Sequence, residues 1–228
     1  MAFVSRTGIA NMALSHVGAE STIENLDSDK TEEAKQCRIW YEFSRQQVLE
    51  VFNWNFARRR IGLALHGDVI SEIATDPWAG VWGFRYQYPE DALIIRKIQN
   101  PNAPPGDATP YDIELSISGE TKSILTNIED AVVVYTFDLR SNELFSAMFV
   151  QAFSHLLASQ IAWSLTGKRK VQTDQFVLYR SVLPAAAAIN ANEQVKPPPR
   201  EAEWIRVRDE LGSQGLGSPW SALPDADN

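Results

Sequence analysis

The run from Leu144 to Thr166 carries no charge and sets the pattern for the rest of the chain. Within it Phe145, Phe149, Phe153, Leu156, Leu157 and Ile161 cover most of a helical circumference, while Ala147, Ala152, Ala158 and Ala162 let neighbours approach closely. A helix apolar nearly all round has to be buried nearly all round. Ser141 is a capping residue, and Glu143 falls where the helix dipole favours negative charge. Gly167, followed by Lys168, Arg169 and Lys170, closes the far end. One helix is predicted over 141–167. It is long enough to span a bilayer. Gln151, Ser154, His155, Ser159, Gln160 and Ser164 recur along it, however, and such groups are costly in lipid. The segment reads as the central helix of a bundle, with part of its surface covered by other subunits.

The spacing upstream predicts two more helices. Ser5 or Thr7 caps the first, Ile9, Met12, Ala13, His16 and Val17 recur near helical spacing, and Gly18 ends it. Ile23 and Leu26 are apolar anchors in the loop that follows. Asp29 is expected to cap a second helix running to about Phe52, with Glu32 and Glu33 in its first turn. Ile39, Trp40, Phe43, Gln47 and Val48 form its expected inner face, with Lys35, Arg38, Glu42, Arg45 and Glu50 outward. Apolar residues then alternate at Phe52, Trp54 and Phe56, so 52–60 leaves the helix as an extended piece.

Between 67 and 138 the character changes, with frequent Gly and Pro and more β-branched and aromatic residues. Residues 82–88, 93–99, 111–118, 122–126 and 131–137 read as five short strands. Gly119-Glu120 makes a tight reversal, and 100–110 reads as an exposed loop. Downstream, Thr173 or Asp174 is expected to cap a last helix to about Glu193, kinked or divided at Pro184. The fold class is α+β: a mainly α-helical bundle from 1–66 and 139–193, an inserted antiparallel β-sheet at 67–138, and an extended C-terminal tail at 194–228. That tail is rich in Pro and Gly yet carries Trp204, Ile205, Leu211, Leu216 and Trp220. Isolated apolar anchors on an extended segment suit an arm that docks on a partner.

Composition narrows the function. A chain of 228 residues with 44% hydrophobic and 22% charged content can bury a sizeable core. The net charge of -8 argues against a sequence-reading nucleic-acid binder, which normally presents a basic face. It is compatible with a wall that nucleic acid slides past. The triplet Arg58, Arg59 and Arg60 is the exception. In an extended segment Arg59 points opposite to the other two, so ion pairing with acids of a neighbouring subunit or domain is expected over phosphate contact. Trp54 and Phe56 join these arginines as candidate intersubunit contacts. The single cysteine, Cys37, excludes an intramolecular disulfide, and the start MAFVSRTGIANMALSHVG lacks the features of a secretory signal.

No familiar catalytic signature is present: no phosphate loop, dinucleotide fingerprint, nucleophile elbow or His-Glu-x-x-His. His16, His66 and His155 are scattered, and His155 reads as a core histidine bonded to a neighbour. Glu20 and Asp29 flank one loop and support an alternative reading as a glycan hydrolase with paired carboxylates. A soluble assembly factor is a further alternative. No catalytic residue, cofactor or metal site is assigned.

The order of parts carries a resemblance. Asn11 to Gly18 (NMALSHVG), Val48 to Ala57 (VLEVFNWNFA), Tyr88 to Ile95 (YPEDALII) and Phe145 to Gly167 together resemble the tail tubular protein A family, over about residues 5 to 193. Its members are head-to-tail adaptors of short-tailed bacteriophages. The resemblance implies a structural virion protein of the tail or neck, assembled in the host bacterial cytoplasm, and not an enzyme. It implies a dodecameric homo-oligomer ring between the portal protein and the tail nozzle (tubular protein B), in some phages with tail fibres attached. Double-stranded DNA would pass through the ring without sequence recognition, and no membrane insertion is expected.

Overall fold

The computed structural model describes residues 5–66, 81–102, 109–116 and 119–193. The tail anchors Trp204, Ile205, Leu211, Leu216 and Trp220 lie outside the described residues. Helix α1 (Arg6–Val17) opens at Ser5, whose Oγ accepts from the Gly8 N–H at 3.0 Å. It closes at Gly18, which takes the left-handed conformation at φ 80° and so bends the chain back without a Cβ penalty. Helix α2 (Glu32–Val51) is capped by Thr31, not Asp29: the Thr31 hydroxyl accepts from the Ala34 N–H at 3.3 Å. The Asp29 carboxylate accepts from the Thr31 N–H at 3.0 Å and shapes the turn before the helix.

The central helix, α3 (Ala147–Thr166), starts later than its pattern suggests. Ser146, not Ser141, is the cap, accepting from the Phe149 N–H at 3.3 Å. Ser141 instead precedes a short 3-10 turn, Asn142–Leu144. Helix α4 (Arg169–Asn192) begins directly after Gly167, ahead of Thr173 and Asp174, with no side-chain cap. It runs unbroken past Pro184. Contacts of Val171, Tyr179 and Ala186 with the core on both sides of the proline compensate for the lost backbone bond.

Helices α1, α2 and α4 all pack on α3. Tyr41 meets Phe153 edge-on and Trp54 meets Phe149, so α2 runs opposite to α3. His16 of α1 stacks on His155, whose Nδ1 lies 2.8 Å from Gln175 Oε1 of α4. Twelve of the 20 residues of α3 are buried, from Phe149 to Ala162. Each large apolar side chain among them contributes about 1.5–3 kcal/mol by leaving water. Three helices of its own chain supply most of that cover, while Trp163 near its end stays 50% exposed. Among the described residues no helix is long and apolar enough to cross a membrane.

The β region holds two three-stranded antiparallel sheets where one was expected. Strands β1 (Arg58–Gly62), β6 (Val132–Phe137) and β3 (Ala92–Gln99) form the first, in that order. Strands β2 (Phe84–Gln87), β5 (Lys122–Thr126) and β4 (Tyr111–Leu115) form the second. Strand β1 comes from before residue 67, out of the piece expected only to be extended. Past β1 the Leu63 N–H donates to Ala131 O, just before β6, and the chain then turns to β2, where Gln87 N–H donates to Ala64 O and His66 N–H to Arg85 O, all at 2.9 Å. Tyr86 and Ile124 from one sheet and Ile95, Ile98, Val133 and Tyr135 from the other make a second core. Ile95 and Ile98 are three apart, so simple alternation would put them on opposite faces. An irregular register between Ile95 and Lys97 brings both inward. The expected reversal at Gly119 is present, with φ 76° and its N–H donating to Ser116 O.

Candidate interaction surfaces

Strand β1 divides the arginine triplet as alternation requires, and the two sides meet different fates. Arg59 pairs with Asp91 of its own chain at 2.6 Å and lies 5.0 Å over the Phe137 ring. Its charge is therefore met within the subunit, by an acid of the segment read as the β insert. Tyr135 donates to the other Asp91 oxygen at 2.9 Å. Burial, reinforced by that carboxylate, pushes the Tyr135 hydroxyl up to about 12. Arg58 and Arg60 are exposed.

Trp54 is fully buried and donates from Nε1 to Val48 O at 2.8 Å. A side chain so enclosed has nothing to offer a neighbouring subunit, so Trp54 is a core residue. Phe56 is half-buried against Trp54, Phe145 and Phe149 and belongs to the same aromatic cluster. Asn55 extends the cluster to α4, its N–H donating to Asn190 Oδ1 at 2.9 Å.

Glu20 is exposed, and the Asp29 carboxyl is held below its ordinary range chiefly by the Thr31 N–H. Among the described residues no group of three His, Cys, Asp or Glu side chains could hold a metal. Cys37 is buried, and burial pushes its thiol up to about 12. His155 is bonded to a neighbour, as its place in the pattern suggested. A cleft of about 300 Å³ opens between α1 and α3, lined by Met12, His16, Val150 and Ser154.

The surface that pattern reading missed lies on the helices. Helix α2 buries Ala34, Cys37, Tyr41, Ser44, Arg45, Val48 and Leu49. Ile39 and Phe43, expected inside, are 63% and 55% exposed, and Arg45, expected outside, is buried. On α4 the buried positions are Tyr179, Ala186 and Asn190. Its opposite side exposes Val177, Ser181, Pro184, Ala185 and Ala188 in a near-continuous line, with Phe176, Leu178 and Ile189 flanking it. Each helix thus presents apolar groups on both sides, one to α3 and one to solvent. A signal existed in the sequence: between Gln175 and Asn192 the only charge is Arg180, too little for a helix with one wet face. No protein-family model matches this chain, and no curated protein matches it.

Proposed function

We propose that this protein is a structural head-to-tail adaptor of a phage virion, forming a ring between the portal and the tail nozzle that continues the DNA channel. The observation that carries the reading is the pair of exposed apolar helix faces, on α2 and on α4. A closed cyclic ring needs two different patches on one subunit, each meeting the other on the next copy. One chain with two unlike apolar faces, both on helices packed against the same central helix, has that property. Interfaces of this kind concentrate apolar and aromatic residues at their centre.

The resemblance in 11–18, 48–57, 88–95 and 145–167 points the same way. The net charge of -8 suits a channel that holds DNA without gripping it, since phosphate binding needs many Lys and Arg. Arg58 and Arg60 remain as contacts for acidic groups of a partner, and the anchors Trp204 and Trp220 as an arm toward the portal. The work is mechanical: the ring seals the filled head and passes the genome at ejection. Electron microscopy and sedimentation of the purified chain, alone and with portal rings, test this. Closed rings that cap the portal are expected. A chain that stays monomeric beside the portal, and is missing from purified particles by mass spectrometry, overturns the proposal in favour of an assembly factor.

A further inference from the structure

We infer that successive copies join by laying the outer line of α2 from one copy alongside the outer line of α4 of the next, parallel and in one register. The inference rests on the ring reading and adds the surfaces and their alignment to it.

Direction comes first. Helix α2 runs opposite to α3, as the Tyr41–Phe153 and Trp54–Phe149 contacts require. Helix α4 follows α3 through the Gly167 turn and packs back along it, with Gln175 beside His155 and Asn190 beside Asn55. Within one chain α2 and α4 are therefore parallel. A ring of about a dozen copies rotates each neighbour by only about 30°, so α2 of one copy stays near-parallel to α4 of the next.

Charge then selects the register. The outer line of α2 reads Glu32, Lys35, Ile39, Phe43 and Glu50, all exposed. The outer line of α4 reads Lys170, Asp174, Val177, Ser181, Ala185 and Ala188, also exposed. Setting Glu32 opposite Lys170 brings Lys35 beside Asp174, Ile39 opposite Val177 and Phe43 opposite Ser181. Phe43 then projects over the small side chains of Ser181 and Ala185, a ridge meeting a shallow stretch. Sliding α2 one turn forward puts Glu32 against Asp174. Sliding it one turn back puts Lys35 against Arg169 and Ile39 against Thr173. Both neighbouring registers oppose like charges; over residues 32–43 the middle one pairs opposite charges and sets Ile39 on Val177, while Glu50 falls opposite Ala188 at the end of the line. Exposed ion pairs add little affinity, so their part here is to choose the register while the apolar line holds the copies together.

Paired cysteines test this in the full-length chain. With Ile39→Cys and Val177→Cys together, oxidation should give a ladder of disulfide-linked multimers on a non-reducing gel, because facing positions meet the distance a disulfide needs. Ile39→Cys with Ala188→Cys, three turns out of register, should give none. Independently, Lys170→Glu should weaken association about 5-fold or more, and Glu32→Lys with Lys170→Glu should restore it to within about 2-fold. Circular dichroism establishes that each variant is folded. Rings without a ladder and without rescue overturn this interface and leave the ring reading standing. A wild-type chain that never assembles removes both.

Discussion

Arg45 Nη2 donates to Asp138 Oδ1 at 2.6 Å, tying the middle of α2 to the residue after β6. Arg45 Nη1 donates to Leu139 O at 2.7 Å and Nε to Glu42 Oε2 at 3.0 Å, so the whole fork is used. The Arg45 side chain is 1% exposed and that of Asp138 15%. This pair joins the helical bundle to the first sheet. Replacing Arg45 by Met leaves the mostly enclosed Asp138 carboxylate with only the exposed Arg140, at 3.4 Å, as counter-charge and should cost about 3 kcal/mol at neutral pH, measured by urea denaturation.

The same pair makes stability depend on acid. Burial opposes ionisation of Asp138, but the Arg45 guanidinium outweighs it and holds the carboxyl below its ordinary 3.8. A carboxyl depressed in the folded state stabilises above the unfolded value, and that contribution is lost as pH falls through the folded value. Asp138→Asn should therefore be less stable than wild type at pH 7 and flatter in its response below about pH 4. Equal slopes for the two proteins would count against the assignment.

Arg96 closes α2, a task that falls to Gly18 in α1 and Gly167 in α3. Phe52 follows the helix in extended conformation, and Arg96 Nη2 donates to the Glu50 and Phe52 carbonyls at 2.8 Å each. Its Nε donates to Thr136 Oγ1 at 2.8 Å, so the cation is held by β6 while it meets the negative end of the helix. Arg96→Ala should destabilise by about 1–3 kcal/mol. Arg96→Lys should recover only part of this, because an ammonium lacks the fork. Hydrogen exchange at residues 49–54 should rise in step.

The stacked rings of His16 and His155, 4.1 Å apart, disfavour a charge at their contact. Burial, and then the His155 ring, push His16 below its ordinary 6.5. A folded state that resists protonation loses stability as pH drops below the unfolded value. Stability should decline from pH 7 toward pH 5, and His16→Gln should reduce that decline. Proton NMR of the His16 ring should place its titration below 6.5.

Cys37 should be unreactive in the native state. With its thiol pushed up to about 12 and its side chain enclosed, almost no thiolate is accessible at pH 8. A thiol reagent should modify it only at the rate of unfolding, so labelling rates across urea concentrations should track the unfolding curve.

Much of the fold was legible in local pattern. The charge-free stretch of α3 announced a buried helix, and Ser5, Gly18 and Gly167 marked helix ends by their own backbone chemistry. Where two residues could do the same job, pattern chose wrongly. Asp29 and Thr31 can both cap α2, and Ser141 and Ser146 can both open α3; which one does so depends on where the chain arrives. The β1 strand was unreadable as such because its partners in β6 lie seventy or more positions away.

The residues by themselves determined the α+β class, most of the elements and the need for a long helix to be hidden, since these follow from periodicity, charge and turn chemistry along one segment. Which side of α2 faces inward was decided only by tertiary structure. Arg45 can be buried because Asp138 and Leu139 come from another part of the chain to meet it, and Ile39 and Phe43 are left outside because α3 packs on the opposite side. Hydrophobicity ranks side chains for burial, but only an assembled set of partners determines which of them a helix turns toward its core.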